Sequence, residues 1–228
     1  MKISSPLAAA LMLASLVGFQ AQAGTRQVLD ANGQTHTVPE APQRVVVLSE
    51  LDLDSALTLG VQPVGTVNGR GQSTLPRYLL DKAGKEIAVV GDLDNPNLEK
   101  LIDLEPDLIL TGQTKPELLA LLKEIAPTVV TGNWGEPWKT VFNRSANVMN
   151  KEAEAKAFLA RYDARLAEAR SKLAKHQGEQ VSIVRWNPKG PSFMYQGTFA
   201  SSVVESMGLV RPSKQQGTGA PHSPALSL

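Results

Sequence analysis

Short, continuous runs of apolar residues recur along the first part of the chain and constrain its fold more than any other feature. The runs are rich in β-branched residues and lie at 45–48, 63–67, 87–90, 108–110 and 129–131. Continuous runs, in contrast to strict alternation, are typical of strands that are buried on both faces, as in a parallel sheet. Helical patterns separate them, at 54–59, 75–82, 98–104 and 117–125. This succession predicts an α/β lobe over residues 44–135.

A stretch without glycine or proline follows, between residues 138 and 176. Its apolar residues are mostly three or four positions apart, and Glu152 and Lys156 are spaced for an i,i+4 ion pair. These signals predict one helix of nearly forty residues within 136–177, about 55–60 Å long at 1.5 Å per residue. Such a helix exceeds the diameter of a small domain. We therefore expect a connector between two lobes in preference to a coiled coil.

The α/β pattern resumes after this helix. Two strand patterns and one helical pattern lie at 181–186, 192–195 and 201–207. The tail from residue 211 onward is polar and contains prolines, with no further core-forming element. The segment 178–228 is of marginal size for an independent core, so we expect a second α/β lobe that is incomplete at its C-terminal end.

The N-terminus has the three parts of a secretory signal peptide. Lys2 supplies the positive charge, residues 7–19 are apolar, and Ala21-Gln22-Ala23 provides a small-x-small cleavage site. The apolar run is shorter than the roughly 20 residues that span a bilayer. We expect residues 1–23 to be removed after Ala23, leaving an exported protein that is not embedded in the membrane. A polar, exposed leader over 24–43 would precede the first lobe.

Composition excludes several classes of function. The chain has no cysteine, which removes disulfide scaffolds, thiolate metal sites and cysteine catalysis. Its formal net charge of +1 offers no basic surface of the kind that nucleic-acid binding requires. The three histidines, His36, His176 and His222, are too far apart in the predicted layout to form a zinc or manganese site.

Enzyme motifs are also absent from the sequence, which has no G-x-S-x-G, H-E-x-x-H or phosphate-binding loop. We expect no catalytic residue, no metal ligand and no cofactor. An exported enzyme is the less favoured alternative.

Four segments carry a resemblance to a known family: 43–48, 56–65, 91–110 and 199–209. The most specific is 91–110, with Pro96-Asn97-Leu98-Glu99-Lys100-Leu101 followed by Leu104-Glu105-Pro106-Asp107-Leu108. They resemble the periplasmic substrate-binding proteins of ABC importers for iron–siderophore complexes. The resemblance implies two Rossmann-like α/β lobes joined by one long helix, the second being incomplete here because family members continue well past residue 228. It also implies a periplasmic monomer that delivers a ferric siderophore to permease subunits.

The resemblance assigns roles to two glutamates, one on each lobe. Glu99 and Glu205 match the positions at which such proteins dock on arginines of the permease. Arg70 and Arg185 are the candidate cations for a polyanionic ferric siderophore, because a guanidinium suits carboxylate and catecholate oxygens.

Aromatic and polar residues complete the predicted ligand site. Trp134, Trp186 and Tyr195 are the candidate walls of a cleft for an organic ligand. Glu50 and Gln113 are candidate polar contacts, since they follow predicted strands and ligands bind outside the carboxyl ends of such strands. The siderophore would chelate the iron, so the protein would supply cations and aromatic surface. A haem or cobalamin carrier of the same architecture is the alternative, because a tyrosine could supply an axial haem ligand.

Overall fold

The computed structural model of the protein describes residues 24–84, 86–188, 190–217 and 220–226. Its strands are β1 (Thr25–Leu29), β2 (Thr35–Pro39), β3 (Val45–Val47), β4 (Gly65–Thr66), β5 (Ala88–Val89), β6 (Gly91–Asp92), β7 (Asn95–Pro96), β8 (Leu108–Gly112), β9 (Thr128–Gly132), β10 (Val184–Asn187) and β11 (Gly190–Phe193). Its helices are α1 (Glu50–Thr58), α2 (Leu80–Ala83), α3 (Leu98–Asp103), α4 (Pro116–Ile125), α5 (Trp138–Val148), α6 (Glu152–Lys172) and α7 (Phe199–Ser206). The predicted signal peptide lies outside the described residues.

A parallel sheet forms the centre of the first lobe, with the strand order β5-β4-β3-β8-β9. Each of the five apolar runs supplies one of these strands, which confirms the predicted α/β fold. The strands are joined through helices, as parallel pairing requires. All five carboxyl ends therefore lie along one edge of the sheet.

Helices cover both faces of this sheet. On one face, Val45 and Val47 belong to a buried cluster that includes side chains of α1 and α5. On the other face, Val46 packs in a cluster with Leu101 of α3 and Leu122 of α4. The three valines are at most 1% exposed, and burying each stabilises the fold by roughly 1.5–3 kcal/mol. The run is continuously apolar because neighbouring residues of the strand enter different clusters.

The segment 24–43 is not the exposed leader that the sequence predicts. β1 and β2 pair as an antiparallel hairpin, and each turns one valine, Val28 or Val38, into the core of the first lobe. The backbone N–H of Ala31 donates to the carbonyl of Val130 at 2.8 Å, which ties the hairpin turn to β9. One buried valine per strand among polar residues is too weak a signal to distinguish a packed hairpin from a solvated leader.

The predicted single helix over 136–177 is also corrected, because the run divides into α5 and α6. Asn150 adopts a left-handed conformation with φ of 57°. The N–H of Lys151 donates to the carbonyl of Ala146 at 2.8 Å, which closes α5 with a Schellman motif. Asparagine tolerates this conformation better than most residues, so the helix ends without glycine or proline. The second piece, α6, still has 21 residues and a length of about 30 Å.

The residues from 178 to 226, here called the C-terminal segment, form the antiparallel hairpin β10–β11 and the helix α7. The predicted strand and helix patterns in this region are confirmed in type, with shifts of up to three residues at their ends. Helix α7 lies against α5, where the rings of Phe199 and Trp138 meet edge to face at a centroid distance of 5.7 Å. None of the helices in the described ranges is both long and apolar enough to cross a bilayer.

Candidate functional site

The loops that follow the parallel strands bring four of the predicted ligand residues to one edge of the first lobe. Glu50 follows β3, Arg70 follows β4, Gln113 follows β8 and Trp134 follows β9. We call this edge, with these four residues, the binding edge. It is the position at which open α/β sheets bind their ligands.

Glu50 and Arg70 are connected through the backbone of a turn. The N–H of Arg70 donates to Oε1 of Glu50 at 2.7 Å. The amide group of Asn68 donates to the carbonyl of Gln72 at 2.6 Å and closes the same turn. Glu50 is half-buried by these contacts, whereas Arg70 is exposed. Glu50 therefore holds the loop in place, while Arg70 presents its guanidinium to solvent.

Gln113 and Trp134 are connected in the same manner. The N–H of Gln113 donates to the carbonyl of Gly132 at 2.8 Å. Its side-chain oxygen accepts from the N–H of Trp134 at 3.2 Å. Trp134 is 75% exposed, so the loop is held by its backbone while the indole ring remains available to a ligand.

Asp52 is a buried carboxyl group at this edge that the sequence analysis did not select. It is 0% exposed and accepts hydrogen bonds from the hydroxyl groups of Ser49 at 2.6 Å, Thr131 at 2.8 Å and Ser145 at 2.9 Å. Burial raises the pKa of Asp52, and the three hydroxyl donors oppose that rise. The spacing Ser49-x-x-Asp52 is a helix-start signal that could have drawn attention to it. Nothing local in the sequence indicates the other two partners.

Tyr78 lies in the turn before α2, near the carboxylate of Glu50 at the start of α1. Partial burial of the phenol, with the nearby carboxylates of Glu50 and Asp54, raises the pKa of Tyr78 to about 12. The phenolate of Tyr78 is therefore harder to form than that of an ordinary tyrosine. This environment disfavours the phenolate that would bind a haem iron.

The candidates in the C-terminal segment do not share one surface. Arg185 and Trp186 are neighbours in β10, and successive side chains of a strand point to opposite faces. Trp186 is 68% exposed, while Tyr195 is half-buried and packs edge to face against Phe193 at 5.3 Å. In the part of the chain that the structure describes, no hydrogen bond or ring contact joins these three candidates to the binding edge.

The two candidate docking glutamates differ in their surroundings. Glu99 is exposed in the first turn of α3, just after the helix cap at which Asn97 accepts from the N–H of Lys100 at 2.9 Å. Glu205 is half-buried on α7, where its Oε1 accepts from the side-chain amide of Gln196 at 2.9 Å. Glu99 is therefore the more accessible of the two.

Each of the three histidines has its own hydrogen-bond partner in the structure. His36 contacts Asp30 at 3.0 Å, and His176 contacts Glu179 at 2.9 Å, in different elements. Within the described ranges, no group of three or more histidine, aspartate or glutamate side chains is placed to hold a metal ion.

Comparison with known proteins gives a consistent family. Residues 45–224 match the sequence profile of the family described as periplasmic binding protein. The chain is 32% identical over 192 residues to the probable siderophore-binding lipoprotein YfiY of Bacillus subtilis, with 84% of this chain and 59% of that protein covered. It is 28% identical over 199 residues to the Fe(3+) dicitrate-binding periplasmic protein FecB of Escherichia coli, with 85% and 65% covered.

A solved structure is similar over the same part of the chain. Staphylococcus aureus SirA complexed with staphyloferrin B superposes with a TM-score of 0.73 at 29% identity, over 84% of this chain and 66% of that one. The chain thus spans 59% of the length of YfiY and 66% of the length of SirA.

Proposed function

The chain belongs to the periplasmic binding protein family, and from this membership we propose that it captures a ferric siderophore and delivers it to the permease of an ABC importer for iron uptake. The observation that carries the proposal is the binding edge. There, a parallel sheet presents the exposed Arg70 and Trp134 on loops whose backbones are fixed by Glu50 and Gln113. A ring and a guanidinium suit an organic, anionic chelate that already holds its metal.

The roles of the site residues follow from their surroundings. Arg70 supplies charge to the ligand and Trp134 supplies a ring face, while Glu50 and Gln113 keep the two loops in place. The C-terminal segment contributes Arg185 from one face of its hairpin or Trp186 from the other, together with Tyr195. Since the siderophore chelates the iron, the protein needs no metal ligand, no cofactor and no catalytic step.

The place of action follows from the expected signal peptide and from the relatives. We infer that residues 1–23 direct export and are removed after Ala23, and that the protein acts as a monomer in the periplasm. FecB, which is similar over most of this chain, is itself described as periplasmic.

Haem capture receives less support than siderophore capture. The raised pKa of Tyr78 makes its phenolate harder to form. Tyr162 is occupied by packing against Trp138 at 5.0 Å and by the ammonium group of Lys139, 5.0 Å from its ring centroid. Neither of these two tyrosines is poised as an axial ligand, so the haem alternative rests on Tyr195 of the C-terminal segment.

A tryptophan-fluorescence titration tests the proposal. The ligands are ferric staphyloferrin B, ferric dicitrate, a ferric hydroxamate, haemin and cobalamin. One ferric chelate should quench saturably at one equivalent, and Arg70→Ala should weaken its binding by about tenfold or more, since a charge-assisted contact contributes about 1.5–3 kcal/mol. Arg161→Ala, which removes an exposed arginine from α6, serves as the matched control. Quenching by haemin alone would replace the siderophore with haem, and no quenching by any ligand would reject the capture proposal.

Permease docking is tested separately from capture. The double variant Glu99→Gln, Glu205→Gln should abolish iron uptake in cells while leaving ligand affinity unchanged, because both glutamates lie outside the binding edge. Glu117→Gln is the matched control, since Glu117 is exposed in the first turn of α4 as Glu99 is in α3. A loss of ligand affinity in the double variant would contradict the docking assignment.

A further inference from the structure

Asp52 is the one fully buried carboxyl group at the binding edge, and the proposed function gives it no role. A buried carboxyl is costly unless it is paired or neutral. The side-chain contacts of Asp52 are hydroxyl groups, with no cation among them. Its placement therefore calls for an explanation other than a salt bridge.

The partners of Asp52 lie at the start of α1, in β9 and in α5. Ser49 caps α1, which begins with Glu50. Thr131 lies in β9, three residues before Trp134, and its hydroxyl is also 3.1 Å from the carbonyl of Thr111 in β8, just before Gln113. Ser145 contributes from α5. The carboxyl group thus connects the elements that position three of the four binding-edge residues.

Counting protons shows that the ionised form of Asp52 satisfies this network better than the protonated form does. Each hydroxyl has one proton to donate. When the carboxyl is ionised, all three hydroxyls can donate to it. When it is protonated, Thr131 can donate instead to the carbonyl of Thr111 at 3.1 Å and Ser145 to the carbonyl of Val141 at 2.9 Å, while Asp52 donates to Ser49. The hydroxyl proton of Ser49 then loses the acceptor that it has in the ionised form.

Resting on the proposed function, we propose that Asp52 is a positioning residue of the binding edge whose protonation state sets how tightly α1, β9 and α5 are held together beneath the ligand. Ionisation draws three charge-assisted contacts onto one point, and such contacts are about twice as strong as neutral ones. The ionised form therefore holds the Trp134 loop more firmly. Burial raises the pKa of Asp52, which places its titration above that of an ordinary aspartate.

Other charged groups face the same elements and must be distinguished from Asp52. Arg144 of α5 donates to the carbonyl of Thr131 at 2.6 Å and pairs with Glu136 at 3.0 Å. That guanidinium lowers the pKa of Glu136, so Glu136 titrates below its usual range, whereas Asp52 titrates above its own. On α1, Glu50 and Asp54 flank Asp52 in sequence and lie nearer to solvent.

A single-tryptophan protein tests the proposal without any ligand. Trp138→Phe and Trp186→Phe leave Trp134 as the reporter, and its quenching by acrylamide is measured from about pH 4 to pH 9. Quenching should fall through one transition as Asp52 ionises. Asp52→Asn, which resembles the neutral carboxyl in size, should remove the transition and keep quenching at its low-pH level. A transition that persists in Asp52→Asn would overturn the proposal.

Two threonines of β9 provide a matched pair of variants. Thr131→Val removes a donor to the carboxylate and should move the transition to higher pH. Thr128→Val removes an equally buried hydroxyl at the other end of the strand, where it donates to Ala126, and should leave the transition unchanged. His36→Gln should also leave it unchanged, which excludes the Asp30–His36 pair in the nearby hairpin. Equal shifts in the two threonine variants would contradict the proposal even if Asp52→Asn failed to fold.

Asp52→Asn in the protein that keeps all three tryptophans separates this inference from the proposed function. The dissociation constant of the ligand found in the fluorescence titration should change with pH over the range of the Trp134 transition. In Asp52→Asn, the dissociation constant should no longer change over that range. If no ligand binds but the Trp134 transition depends on Asp52, the capture proposal fails while the positioning network stands. If a ligand binds with the same pH dependence in the parent protein and in Asp52→Asn, the positioning role is rejected and the capture proposal stands.

Discussion

The first lobe and the C-terminal segment are built on different kinds of buried residue. Among the described residues, every buried hydrophobic side chain except Pro191 lies between Val28 and Ala155. Beyond Ala155 the buried positions are otherwise polar: Ser192, Ser201, Arg211, Gln215 and Ser223. Two large hydrophobic residues of β10 are exposed instead, Val184 at 56% and Trp186 at 68%.

This difference predicts different stabilities. Apolar burial in the first lobe is contributed by many side chains and does not depend on the orientation of any one group. In the C-terminal segment, Arg211 is 1% exposed and holds together the chain around it. It donates to the carbonyls of Val181 and of Met194, the latter at 2.7 Å, and to the side chain of Gln215 at 2.9 Å. We expect this segment to open at a lower free energy than the sheet, because few apolar contacts oppose its opening.

A pair of identical substitutions tests the comparison with the largest expected effect. Val46→Ala in β3 should lower the free energy of unfolding by about 2–3 kcal/mol, from two lost methyl groups and the cavity they leave. Val184→Ala in β10 should change it by less than about 0.5 kcal/mol, as exposed substitutions do. Urea denaturation followed by circular dichroism measures both. Equal losses in the two variants would mean that the hairpin contributes to the same cooperative core as the sheet.

The parts of the fold that the sequence predicted well are those where the pattern is strong and local. The run at 45–48 is continuously apolar because its residues are buried on both faces of the sheet, and such runs have few other interpretations. The prediction of an exposed leader over 24–43 is wrong because only one valine in each strand is buried there, which is a weak signal in the sequence. The end of α5 was missed because Asn150, and not glycine or proline, takes the left-handed conformation.

The place of a residue in the fold was predictable where topology alone decides it. Glu50 and Gln113 reach the binding edge because they follow parallel strands that end together, and their role in binding remains a prediction. The hydrogen-bond network of Asp52 could not be predicted from the sequence, since its partners Thr131 and Ser145 lie 79 and 93 residues further along the chain. Such a network is visible only once the chain is folded.

Arg185 and Trp186 remain predicted ligand residues, but they do not lie on one face of β10. Adjacency in sequence suggests one surface, but the two-residue period of a strand separates them. A prediction that groups strand residues must therefore count alternate positions.

The second prediction removes the polar centre of the C-terminal segment. Arg211→Met should leave three acceptors without their donor and lower the free energy of local opening by about 1–3 kcal/mol. Chymotrypsin should then cut within residues 178–226 roughly 5–150 times faster while the urea midpoint of the first lobe stays nearly constant. Lys214→Met, an exposed substitution in the same region, is the control. A fall in the first-lobe midpoint as large as that caused by Val46→Ala would show that the two regions unfold together.

The smallest predicted effect compares a half-buried ion pair of the first lobe with an exposed pair on α6. Arg144 lowers the pKa of Glu136 chiefly through its hydrogen bond to the carboxylate. A lowered pKa means that this stabilisation is fully present above about pH 4.3, the value for an unfolded chain, and is lost as pH falls through the lower value in the folded protein. Glu136→Gln should therefore be less stable than the parent at neutral pH by at most about 1 kcal/mol, and the gap should close on acidification.

Glu168→Gln is the matched control for this last prediction, since Glu168 pairs with Lys172 at 2.6 Å but is 64% exposed. Solvent screens that pair, so its variant should follow the parent at every pH. Thermal unfolding of the three proteins from about pH 3 to pH 7 measures the difference. If Glu136→Gln and Glu168→Gln behave alike, partial burial does not strengthen ion pairs in the first lobe. The greater stability of the first lobe would then rest on apolar packing alone.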